Sequence, residues 1–129
     1  MTGKGVTVAV LESGYDVDHP DLKEVVSHER NFTDSPDMRD VNGHGTHVAS
    51  IIAGAGEKYR GVVPDAKLAI AKVGDGWSTD SAVLAGMEWA AVDVKAKVIN
   101  PPPSRRAEPG RWRRPVARTA AAKPLRWLR

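Results

Sequence analysis

Val6-Thr7-Val8-Ala9-Val10-Leu11 decides the fold. This short run, rich in β-branched residues, follows the turn Gly3-Lys4-Gly5 and stops at Glu12-Ser13-Gly14. It carries no charged residue on either alternate, so it reads as a strand buried on both faces, as in a parallel sheet. Residues 14–43 are polar and turn-rich, with a brief helical turn at His19-Pro20-Asp21-Leu22. From His44 to Ala55 the period becomes helical. Val48, Ile51, Ile52 and Ala55 recur at i, i+3, i+4 and i+7 and predict a buried face, while Ala49, Ala53 and Gly54 are small enough to pack closely under a sheet. Gly61 to Ala66 is a turn, and Lys67 to Val73 a second strand. After a loop over 74–79, Ser78 or Thr79 can cap a helix from Asp80 to about Lys95, with Val83, Met87, Ala90 and Val94 on one stripe. Lys97-Val98-Ile99-Asn100 opens a third strand. Strands alternating with helices predict an α/β fold, a doubly wound parallel sheet with right-handed crossovers. The sheet is expected to be partial, truncated after about three strands, because Pro101-Pro102-Pro103 has no N–H groups for a ladder.

The 129 residues suit one domain. There is no cysteine, which excludes a disulfide framework and thiolate chemistry. No apolar run approaches the ~18 residues of a membrane span, so no membrane partner is expected. Met1 leads almost directly into the first turn and strand, a start that does not read as a signal peptide. The net charge of +3 is unevenly spread. Residues 1–100 carry ten Lys and Arg against fifteen Asp and Glu, and residues 101–129 carry nine against a single Glu. An acidic body, 1–100, thus meets an irregular basic tail, 101–129, rich in Arg, Pro and Ala.

In an open parallel sheet, sites form where the strands end at their carboxyl edge. Glu12 stands at the end of the first strand and His44 at the start of a helix. A carboxylate there can hold one imidazole tautomer and favour the imidazolium, while the helix N-terminus opposes that charge. That balance suits a general base. His47, one turn on, makes a possible i, i+3 metal pair with His44, but no third ligand is evident and a structural role is the better reading. Asp34, Asp37 and Asp40 read as solvated loop charges, and Met87 and Trp89 as helix packing.

Asn42-Gly43-His44-Gly45-Thr46-His47-Val48-Ala49 resembles the histidine motif of the subtilisin-like serine proteases, the subtilases. Val8-Ala9-Val10-Leu11-Glu12-Ser13-Gly14-Tyr15-Asp16, followed by His19-Pro20-Asp21-Leu22, is similar to their aspartate motif. Gly61-Val62-Val63-Pro64, Gly86-Met87-Glu88-Trp89-Ala90 and Val98-Ile99-Asn100 resemble later family segments, so the likeness covers residues 3–100. It implies a subtilisin-like fold and a serine endopeptidase acting on peptide or protein substrates. His44 is then the general base and Glu12 stands in the acid position. Family members are usually secreted and need no catalytic cofactor, although Asp21 matches a position that binds structural calcium in some of them.

Three departures qualify the resemblance. The family has aspartate where this chain has Glu12, one methylene longer. Its strand after Val-Ile-Asn continues where this chain has Pro101. Its nucleophile motif Gly-Thr-Ser-Met-Ala does not occur here: the nucleophilic serine is absent, and Ser104, the only serine after residue 81, lies in Pro103-Ser104-Arg105-Arg106. Asn100 matches a structural position, not the asparagine of the oxyanion site. The 129-residue chain is therefore expected to be an inactive form. Three readings of the tail stand open: a nucleic-acid-binding arm, a disordered linker, or out-of-frame translation joined to a subtilase segment. The abrupt change of composition favours the last. The rival function is a non-catalytic binding protein whose basic tail contacts nucleic acid. The oligomeric state is not readable from the sequence.

Overall fold

The computed structural model describes residues 1–102 and the backbone of Arg126–Trp127. β1 spans Thr7–Glu12, α1 Pro20–Lys23, β2 Val26–Asn31, α2 His44–Ala53, β3 Lys67–Lys72 and α3 Asp80–Glu88. A π-helical turn, Trp89–Asp93, extends α3, and β4 follows at Val98–Asn100. Arg126–Trp127 form the two-residue β5. All ladders are parallel, in the order β2-β3-β1-β4-β5.

The period-2 alternation of β1 and β3 divides the core between the two faces of the sheet. Ala9, Leu11, Ala69, Ala71 and Val73 face one way and are covered by Ala82, Val83, Met87, Trp89 and Ala90 of α3 and the π-turn. Val8, Val10, Leu68 and Ile70 face the other way, under Ala49 and Ala53 of α2 and Leu22 of α1. One helix on each face is the doubly wound arrangement expected from the strand–helix order. The same parity places Glu12, two residues beyond Val10, on the α2 face. Lys72 is its register partner on β3.

Four details differ from the sequence reading. The face of α2 that meets the sheet is Gly45, Ala49 and Ala53, with Val48 and Ile52 partly buried beside it. Ile51 is exposed, and Ala55 lies past the helix end and is exposed too. The helix lies so close to the sheet that small side chains occupy the contact and larger ones flank it. The helix from Asp80 gives way to a π-turn after Glu88. β2, in the stretch read as turns, adds a strand to the three expected. Its sequence Val26-Ser27-His28-Glu29-Arg30-Asn31 shows no apolar run because four of its six side chains are exposed at the sheet edge. Charged residues suit that place, where they discourage pairing with another chain. At the other edge β4 stops at Asn100, as the prolines require, and Arg126–Trp127 pair with Val98 and Ile99, so the tail is not irregular throughout. The remaining expectations for the tail, Ser104 and the nucleic-acid arm included, fall outside the described residues.

Candidate active site

β1 lies at the middle of the sheet between β3 and β4, and the chain crosses from β3 over to β4 by way of α3. In open parallel sheets, ligands bind at the carboxyl end of the strands where such a change of direction occurs. Glu12 is the last residue of β1 and His44 the first of α2, so both stand at that edge.

The structure brings them together. His44 Nδ1 lies 2.8 Å from Glu12 Oε2. The Glu12 side chain is 6 % exposed and that of His44 49 %. A carboxylate only accepts, so with Glu12 in that form the bond is donated by the imidazole Nδ1–H. In the neutral ring Nε2 then carries the lone pair. Among the described residues no serine hydroxyl bonds to Nε2. The extra methylene of Glu12 leaves a direct hydrogen bond, without overshoot.

Two glycines make this approach possible. A Cβ on Gly45 would stand 2.2 Å from the Gly14 carbonyl oxygen and 3.1 Å from Glu12 Cβ. Gly14 has φ +100°, and a Cβ there would meet Met38 O at 2.3 Å. The first turn of α2 therefore rests directly on the backbone that leaves β1.

Asp40 is not a solvated loop charge, as the sequence suggested. Its Oδ1 accepts from Ser13 Oγ at 2.8 Å, Gly43 N at 2.9 Å and Asn42 N at 3.2 Å. Its Oδ2 accepts from Thr46 Oγ1 at 2.6 Å and Thr46 N at 2.8 Å. Burial is the largest single influence on this carboxyl and opposes its charge, but the bonds from Thr46, Ser13 and Gly43 outweigh it and hold the group below the usual carboxylate value. Asp34 and Asp37 stay within the loop. The sequence carried a signal for Asp40 in its place three residues before a glycine at the helix start.

Lys72 was missed as well. It reads as the polar end of a strand, yet its side chain is 1 % exposed. Its Nζ donates to Arg39 O at 2.7 Å and pairs with Asp75 Oδ1 at 3.0 Å. Asp75 also accepts from the Ser35 hydroxyl; chiefly that bond, aided by Lys72 against burial, holds its carboxyl below the ordinary value. Arg39 is paired with Asp18 at 2.9 Å. Lys72 thus anchors the loop that carries Asp40 to the floor of the sheet.

The other candidates lie apart from this pair. His47 is on the exposed side of α2. Met87 and Trp89 are core residues, with Trp89 edge-on to Phe32 at 6.0 Å between ring centroids. Asn100 ends β4 beside Val10. Asp21 caps nothing with its carboxylate; its N–H donates to His19 Nδ1 at 3.2 Å, and its Oδ2 would lie 2.4 Å from a Cβ on Gly56. Among the described residues no three His, Cys, Asp or Glu side chains are grouped to hold a metal ion. No described helix is long and apolar enough to cross a membrane.

The chain is similar to known proteases. An intracellular serine protease of Paenibacillus polymyxa is 53 % identical over 79 residues, which cover 55 % of this chain and 24 % of that protein. Subtilisin-like protease 6 of Trichophyton equinum is 43 % identical over 90 residues, covering 68 % of this chain and 21 % of its own length. The chain spans about a quarter of the length of these curated relatives. Among solved structures, the nisin leader peptidase NisP of Lactococcus lactis superposes with a TM-score of 0.69 at 29 % identity, over 78 % of this chain and 32 % of that one. The description of the subtilase family matches residues 3–124, past the point where the motifs end. Through that match, carried on a doubly wound sheet with an acid–imidazole contact at its carboxyl edge, the chain belongs to the subtilase family.

Proposed function

We propose that Glu12 and His44 are the acid and the base of a subtilisin-like serine endopeptidase acting on peptide or protein substrates. The observation that supports this is the 2.8 Å contact between His44 Nδ1 and a nearly buried Glu12 carboxylate. In this role Glu12 fixes the ring so that Nε2 carries the lone pair. Nε2 takes the proton of a serine hydroxyl as that oxygen attacks the scissile carbonyl, and returns it to the leaving amine. The imidazolium formed between the two steps is stabilised by Glu12. The reaction also needs a nucleophilic serine and oxyanion donors, and the Gly-Thr-Ser-Met-Ala motif that carries the serine in the family does not occur in these 129 residues. The 129-residue chain alone therefore does not turn over casein: a base without a nucleophile has nothing to activate.

The test is a chimera in which residues 1–100 replace the matching segment of the Paenibacillus polymyxa protease. The chimera is expected to cleave casein, and His44→Ala to lower kcat by about 10⁴-fold or more. An active chimera indifferent to His44→Ala overturns the reading.

A further inference from the structure

We infer that Asp40 is a positioning residue for the Glu12–His44 pair, tying the end of β1 to the first turn of α2. This rests on the reading of Glu12 and His44 proposed above. The N-cap of α2 is Gly43, which has no side chain to cap with. Asp40 supplies the cap from three residues upstream, accepting from Gly43 N at 2.9 Å and from Thr46 N at 2.8 Å. Those bonds hold the backbone on both sides of His44.

Capping alone does not account for the rest. Ser13, the neighbour of Glu12, donates its hydroxyl hydrogen to Asp40 Oδ1 at 2.8 Å, and its Oγ accepts from Gly45 N at 3.0 Å. Ser13 is 4 % exposed and lies on the strand side, so the first-turn N–H that it satisfies is held from the end of β1 and not from within the helix. Its bonds run between the residue after the acid and the residue after the base. Thr46 extends the link: its Oγ1 donates to Asp40 Oδ2 and accepts from Asp16 N at 2.9 Å. One carboxylate thus joins the strand that carries Glu12 to the helix that carries His44. A rigid link of this kind matters because an error of about 1 Å in such a pair can lower a rate by orders of magnitude.

The experiment reads the pair directly in the 129-residue chain, by proton NMR of the histidine-labelled protein. The wild type is expected to show a downfield, slowly exchanging His44 Nδ1 proton, and Glu12→Ala to lose it. Ser13→Ala leaves both cap bonds from Asp40 in place while cutting the link from β1 to Gly45 N, so the Nδ1 resonance, and not the stability of the helix, is what it tests. Loss of the Nδ1 resonance in Ser13→Ala and in Asp40→Asn, with the circular dichroism of the fold retained, establishes the positioning role. Retention of the resonance in Ser13→Ala, whatever its thermal midpoint, overturns that role and leaves Asp40 as a cap. Should Asp40→Asn fail to fold, Ser13→Ala still decides. Persistence of the resonance in Glu12→Ala instead overturns the Glu12–His44 pairing itself.

Discussion

A single carboxylate reaches the single imidazole because of what stands around them, and the most exacting neighbour is Gly45. Its missing side chain is where the Gly14 carbonyl sits, so Gly45→Ala forces a backbone contact apart. Overpacking of this kind costs about 1–3 kcal/mol, and with backbone on the other side the upper end is expected. A denaturant melt of the variant checks the loss of stability. The length of the Glu12 side chain matters too. Its contact with His44 is already a direct 2.8 Å bond, so Glu12→Asp, which withdraws the carboxylate by roughly 1.5 Å, one carbon–carbon bond, opens the pair rather than improving it. In the chimera this substitution is expected to lower kcat, with the KM for peptide less affected; an increase contradicts the assignment of this site as one built around glutamate.

The elements owe their ends to local chemistry. Thr79 Oγ1 accepts from Ala82 N at 3.2 Å and caps α3, as its place before Asp80 predicts. Thr79→Ala is expected to cost about 1 kcal/mol, read as a lower denaturation midpoint. The end of β3 is different, because Lys72 is buried with its charge. Lys72→Met leaves Asp75 without its cation and Arg39 O without its donor; Asp75 is exposed and water can take the place of its cation, so the cost is expected to be about 1–3 kcal/mol, that of hydrogen bonds to a charged group. Equilibrium unfolding of Lys72→Met measures this, and the unchanged stability of an exposed lysine variant such as Lys95→Met serves as the comparison.

For the whole molecule, the lowered carboxyls of Asp40 and Asp75 set an acid limit on stability. Each binds a proton more weakly when folded than when unfolded. The unfolded chain therefore takes up protons first, and stability falls as pH falls. The contribution is complete above the ordinary carboxylate value of 3.8 and is lost as pH drops through the lower folded values. Asp40→Asn should flatten that acid limb in thermal melts between pH 2 and 5, a range set by the ordinary carboxyl titration. At the alkaline end Tyr15 acts in the opposite sense. Burial, then the hydrogen bond and charge of Glu29, raise its phenol well above 10, so the unfolded state ionises first and stability declines as pH rises past 10.

Much of this was readable from residue order. The unbroken apolar run of β1 announced a strand covered on both faces, and its parity put Glu12 on the side of α2. The histidine motif marked His44, since a glycine on each side is what a helix start pressed against a strand end requires. Other features were decided only by tertiary structure. β2 is polar on nearly every residue and is a strand because β3 offers it an open ladder, not because of its own pattern. The buried face of α2 is its smallest residues, since the distance to the sheet, and not hydrophobicity, selects them. Asp40 and Lys72 look like solvated charges until the loop from Asn31 to Asn42 folds back over β1 and β3. Local sequence states which side chains carry charge; only the folded chain brings hydrogen-bond partners to each, donors to Asp40 and acceptors to Lys72, and makes that charge part of the fold around the site.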